Sequence, residues 1–148
     1  MENTKYTEPF AVLSNNLDLF TKEIRKKKPT LMATDIWTVK EVLCHIVFWH
    51  ENYAANYNAL ANNLKPPLLD GPGYKLNVDG AASLRKYPIE ELTQRLQKAQ
   101  NILYACIVEK GVPQMTYKKG GHIYKTSEFL DVIARHIATH TKHVTRAK

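Results

Sequence analysis

A histidine pair four residues apart, His136 and His140, lies on a stretch where Phe129, Ile133, Ile137 and Val144 recur every three or four positions. That rhythm predicts an amphipathic helix and turns both imidazoles toward the core. Their β-carbons would stand roughly 5–6 Å apart, so two ring nitrogens could meet one cation at about 2.0–2.1 Å each. Two imidazoles seldom hold an ion alone. A third has to come from another element, and the segment from Thr38 to Leu64 offers His45 and His50. Three imidazoles and a water suit zinc or nickel, because imidazole discriminates little among late first-row ions. The open fourth position is then the chemically useful one. The competing reading has no ion and makes the pair neutral core histidines bonded to carbonyls or hydroxyls. It has a cost, because each ring polar group left unpaired in a dry core is penalised by about 1–3 kcal/mol.

Around this pair, Trp49, Tyr53 and Tyr57 could line a small-molecule pocket above the metal, with a phenol placed for proton transfer. Aromatics at helical spacing also serve simply as core. Glu41 and Glu51 are candidate acceptors for the far nitrogen of a ligand imidazole, or else solvated carboxylates. His143 is expected at the rim of the last helix, offsetting the helix dipole, and His122 in a glycine-rich loop. Cys44 and Cys106 are too few for a disulfide framework and read as buried, inert thiols. No nucleophile elbow, phosphate-binding glycine loop or paired-cysteine motif points to another enzyme class.

Four segments must position these side chains. The first runs from Thr7 to Lys27 on the stripe Phe10, Leu13, Leu17, Phe20 and Ile24, and Pro29 stops it. The second opens at Thr38 with Glu41 three residues on, the spacing of a capping box, and ends before Pro66 and Pro67. A third begins near Pro88 and continues through Leu92, Leu96 and Leu103 to Gly111; the fourth starts at Thr126 or Ser127 and runs nearly to Lys148. The stretch from Lys65 to Tyr87 is too long for a bare loop, so a short helix is predicted there at Asp79 to Lys86. Val112 to Lys125, with Gly120 and Gly121, predicts a hairpin-like loop. The expected fold is all-α, a four-helix bundle with a long crossover between its second and third helices.

At 148 residues and 44% apolar, the chain has the size of one domain spanning 1–148. No apolar run approaches the ~20 residues that cross a bilayer, and the opening residues are polar, so a soluble, cytoplasmic protein with no membrane partner is expected. The net charge of +7 is spread rather than striped. Its densest run, Arg25 to Lys28, closes the first helix, where cations meet the negative end of the dipole. Without a recognition helix or basic residues interleaved with aromatics, nucleic acid is an unlikely partner. Exposed aromatics such as Tyr6 and Tyr124 leave pairing into a homodimer open.

The run Trp37-Thr-Val-Lys-Glu-Val-Leu-Cys-His45, followed by Trp49-His50-Glu51, resembles the second-helix signature of the DinB-like superfamily. More narrowly it is similar to the DfsB/ClbS branch, whose crossover and third helix also resemble Gly73-Tyr74, Leu84, Tyr87 and Leu92 to Ile107. The resemblance implies an up-down-down-up bundle and a divalent metal held by His45, His136 and His140. On a helical wheel at 100° per residue His50 lies nearer the centre of its stripe, and it is the reserve third ligand. Metal-binding members of the superfamily include thiol-dependent transferases and isomerases. The narrower branch includes a protein that disarms a genotoxic metabolite by opening a cyclopropane, and its members commonly lack the full histidine triad, whereas this chain has His136. The functions implied are a metal-dependent small-thiol transferase or hydrolase, a metal-free ClbS-like resistance hydrolase, or a non-enzymatic small-molecule-binding module.

Overall fold

The apolar stripes fold into four long helices and one short one in the computed structural model, which describes residues 5–148. The polar opening residues 1–4 lie outside the described residues. In chain order the helices are Thr7–Lys26 (α1), Val39–Ala61 (α2), Gly73–Leu84 (α3), Ile89–Tyr104 (α4) and Thr126–Thr145 (α5). A wider turn, Ala105–Glu109, prolongs α4 as π-helix, and Gly111 leaves it at φ 69°, a left-handed conformation that costs glycine little. One two-stranded antiparallel ladder, Gln114–Met115 (β1) with Tyr124–Lys125 (β2), closes the hairpin before α5.

Each helix begins for a local reason. Thr38 accepts from the Glu41 amide while the Glu41 carboxylate accepts from the Thr38 amide, so the capping box of α2 is closed. Pro88, with its φ fixed near the helical value, precedes α4, whose first turn carries Glu90 and Glu91. The short crossover helix is earlier than the expected Asp79 to Lys86. It starts directly after Pro72 and ends at Leu84, because the proline presets the entry and Gly80 lets the helix sit against α2. A β-carbon at Gly80 would come within 2.5 Å of the Phe48 ring.

α1 packs chiefly on α5, and α2 on α4 and α3. Asn16 Nδ2 donates to the Ala134 carbonyl and Lys27 Nζ to the Thr145 carbonyl, both across a separation of 118 residues. A constant offset is what two helices running in the same direction give. The core is continuous, with Leu13, Phe20, Leu43, Tyr57, Leu103 and Phe129 fully buried. Removing each such side chain from water contributes roughly 1.5–3 kcal/mol. Tyr6, expected at an exposed aromatic face, is 3% exposed and belongs to this core; it sits just ahead of α1 and extends that helix's apolar stripe inward.

α2 has neighbours on nearly every side, and both His45 and His50 are buried. No helix among the described residues is long and apolar enough to cross a membrane.

Candidate metal centre

Five residues separate His45 from His50, which places them about 140° apart around α2. His45 therefore faces α5, and His50 faces α4. The His45 Nε2 stands 3.2 Å from the His136 Nε2, across 91 residues of chain. One turn further along α5, the His140 Nε2 stands 3.0 Å from the same His136 nitrogen. One ligand atom from each of the three rings lies within 4.8 Å of the others. Two nitrogens bound at 2.0–2.1 Å to a tetrahedral ion are about 3.3 Å apart, so the observed pairs need only a slight opening to accept one.

Without an ion this arrangement is poorly matched. A neutral imidazole nitrogen offers either one proton or one lone pair in its ring plane, yet the His136 Nε2 faces two other nitrogens. Protonating a ring does not resolve the conflict. Burial first, then the His140 and His136 charges, push His45 down to about 3. Burial, then His136 and His143, push His140 down to about 4, and burial also lowers His136. All three rings are thus held neutral, the state a metal ligand requires. The donor set fits zinc or another late divalent ion.

The surroundings orient two of the rings. Thr34 Oγ1 accepts from the Trp37 amide at 2.9 Å, and backbone bonds between Met32 and Lys148 at 3.0 and 3.1 Å fasten the same loop to the end of the chain. Trp37 is thereby laid over His45, ring centroids 4.6 Å apart. The His143 Nδ1 lies 3.2 Å from the His140 Nδ1. With the His140 Nε2 lone pair turned toward the centre, its Nδ1–H donates to His143, so His143 is an outer partner of the site as well as a residue of the helix end. Its three-residue spacing from His140 allows this contact, and only its place near the end of the helix favoured the rim. The His45 Nδ1 is buried with no hydrogen-bond partner among the described residues.

His50 is not part of the cluster, although the wheel placed it nearer the stripe centre. Its Nε2–H donates to the Gln100 Oε1 at 2.7 Å, and the Gln100 amide is fixed in turn by donating to the Ser14 hydroxyl. Neither carboxylate considered as an acceptor reaches a ligand ring. Glu41 is taken by the capping box and by Arg85 at 3.0 Å, and Glu51 holds Arg95 in a two-pronged pair at 2.7 and 2.9 Å. In both cases a local cation or amide lies nearer than the imidazoles.

The triad opens on a cleft of about 450 Å³. Trp49 and Tyr53 line it, together with Trp37, Tyr117, Asn77 and Lys118, none of which the sequence pattern singled out as pocket residues. Tyr57 does not line it. Its hydroxyl pairs with the Thr126 Oγ1 at 3.0 Å, deep under the start of α5, and that hydroxyl donates to the Val112 carbonyl. Tyr117 and Lys118 arrive through a contact no local signal foretells: Leu69 of the crossover donates to the Tyr117 carbonyl and accepts from the Lys119 amide. Burial pushes the Tyr53 phenol well above its ordinary range, and burial followed by the hydrogen bond with Tyr124 pushes Tyr117 up to about 12, so both stay protonated.

Compared with known proteins, the chain matches no family model, no curated protein and no solved structure.

Proposed function

We propose that this chain is a metal-dependent enzyme of the DinB-like type, in which His45, His136 and His140 hold one zinc or nickel ion beside a small-molecule cleft. The observation that carries the reading is the meeting of three neutral ring nitrogens from α2 and α5. An up-down-down-up four-helix bundle, with α3 as part of the crossover, agrees with the constant offset between α1 and α5 and with the packing of α2 on α4. The run from Trp37 to Glu51 supports the same family.

Bound there, the ion would supply Lewis-acid polarisation of a substrate heteroatom or water. The chain's own residues do the rest. His143 and Trp37 fix the rings of His140 and His45, Trp49 and Tyr53 exclude water on one wall, and the protonated phenols donate to polar atoms of a ligand. The reaction is transfer of a small thiol to an electrophile, or hydrolysis.

Metal content of protein purified without an affinity tag, compared with His136→Ala, tests the reading. One ion per chain in the parent and background levels in the variant are expected, followed by metal-dependent conjugation of a thiol to chlorodinitrobenzene. Equal, substoichiometric metal in both proteins would overturn it.

A further inference from the structure

The cleft beside the triad is unequal in its polar lining. Among the described residues its only lining cation is Lys118, and no carboxylate lines it. The adjacent Lys119 pairs with Asp70 at 3.9 Å, whereas Lys118 has no ion-pair partner among the described residues. The backbone beneath Lys118 is nevertheless fixed, by the bridge between Leu69 and Lys118 and by the bond from the Lys119 amide to the Leu69 carbonyl at 2.8 Å. A partly buried lysine on a pinned loop, left without an acid among the described residues, is a prepared partner for an anion.

A second donor lies in the same cleft. The Trp49 indole N–H can only donate, and it does so to the Asn77 Oδ1 at 2.7 Å. That bond fixes the amide orientation and leaves the Asn77 Nδ2 without a hydrogen bond among the described residues. The aromatic side chains of the lining pack on one another. Trp49 stacks with Tyr53 at 6.0 Å, and Tyr117 meets both edge-on at 5.4 and 5.3 Å. The volume falls in the range of small-molecule sites.

We infer that the cleft binds a small molecule with a flat apolar body and one oxyanion, a carboxylate or a phosphate, received by Lys118 and Asn77. This deepens the functional reading above, since it assigns the ligand class of the same cleft. It is tested on metal-free protein, so that its failure and the failure of the metal site are separate results.

Calorimetric titration of chelator-treated protein with 2-naphthoate, 2-naphthyl phosphate and the neutral 2-naphthamide compares charge at constant shape. The anions are expected to bind at least about tenfold tighter than the amide, the usual size of a charge-assisted hydrogen bond. Lys118→Gln should reduce that preference to about twofold or less while leaving the amide affinity unchanged, and His136→Ala should keep it. The tighter of the two anions identifies the oxyanion. Equal binding of all three probes, binding of none, or a preference that survives Lys118→Gln overturns the inference. So does a Lys118→Gln protein that loses all three alike, because the lysine would then be holding the loop rather than the charge.

Discussion

His45 and His50 leave the same helix and are both almost fully buried, yet they meet opposite surroundings. Around His50 every contact is complementary: its N–H faces the Gln100 carbonyl oxygen, and the Gln100 amide faces the Ser14 hydroxyl. Around His45 the nearest polar atoms are ring nitrogens of the same kind, and its other nitrogen has no partner among the described residues. A satisfied buried imidazole and an unsatisfied one thus lie a turn and a half apart. The difference teaches that burial of a histidine says little about function until the identity of its partners is known.

Four measurements would break or sharpen that contrast. The largest effect is expected from His136→Ala, which removes the nitrogen shared by both close contacts; zinc measured by mass spectrometry should fall from one ion per chain to background, whereas His50→Leu should keep its zinc. Retention of metal by His136→Ala would erase the distinction between the two regions.

Acid should act on the His50 region through proton linkage. Burial, partly opposed by the Gln100 bond, pushes His50 down to about 4 in the folded chain, while the unfolded chain takes up its proton near 6.5. Between those values the unfolded state binds more protons, so the contribution present above pH 6.5 is lost as pH falls to about 4. It amounts to about 3 kcal/mol. Urea unfolding of His136→Ala, with and without His50→Leu, isolates it: the second chain should show the shallower pH dependence.

Next in size is Gln100→Leu, which strands the His50 N–H. A loss of about 1–3 kcal/mol in unfolding free energy is expected with metal content unchanged. Replacing both partners, His50→Leu with Gln100→Leu, should recover much of it, since neither polar group is then left unpaired. The smallest effect is expected at His143. Because water can replace its half-exposed ring, His143→Ala should weaken zinc by roughly tenfold, the low end for an outer partner of a ligand imidazole, as read by competition with a chromophoric chelator at unchanged stoichiometry.

Helix by helix, the sequence was informative where periodicity and end signals coincide. The stripe of α1, the Thr38 and Glu41 cap of α2 and the start of α5 at Thr126 are each local patterns, and each stands at the boundary its residues indicate. The placement of His136 and His140 on one face of α5 is legible for the same reason. Choosing between His45 and His50 is not, because a helix with neighbours on nearly every side has no single buried face for a wheel to find. Tyr117, Lys118 and Asn77 were equally out of reach. Their presence at the cleft depends on the Leu69 bridge and on the close approach at Gly80, contacts between segments that are distant in the chain.

That Leu69 bridge divides the labour of the cleft. The nitrogens at its floor are carried by two long helices locked into the core, whereas its mouth is stitched together from the crossover and the hairpin turn. Exchanging the residues around 73–77 and 117–118 would therefore retarget the opening to other guests and leave the three imidazoles in place, so that selectivity and reactivity can be rewritten, by design or by descent, one at a time.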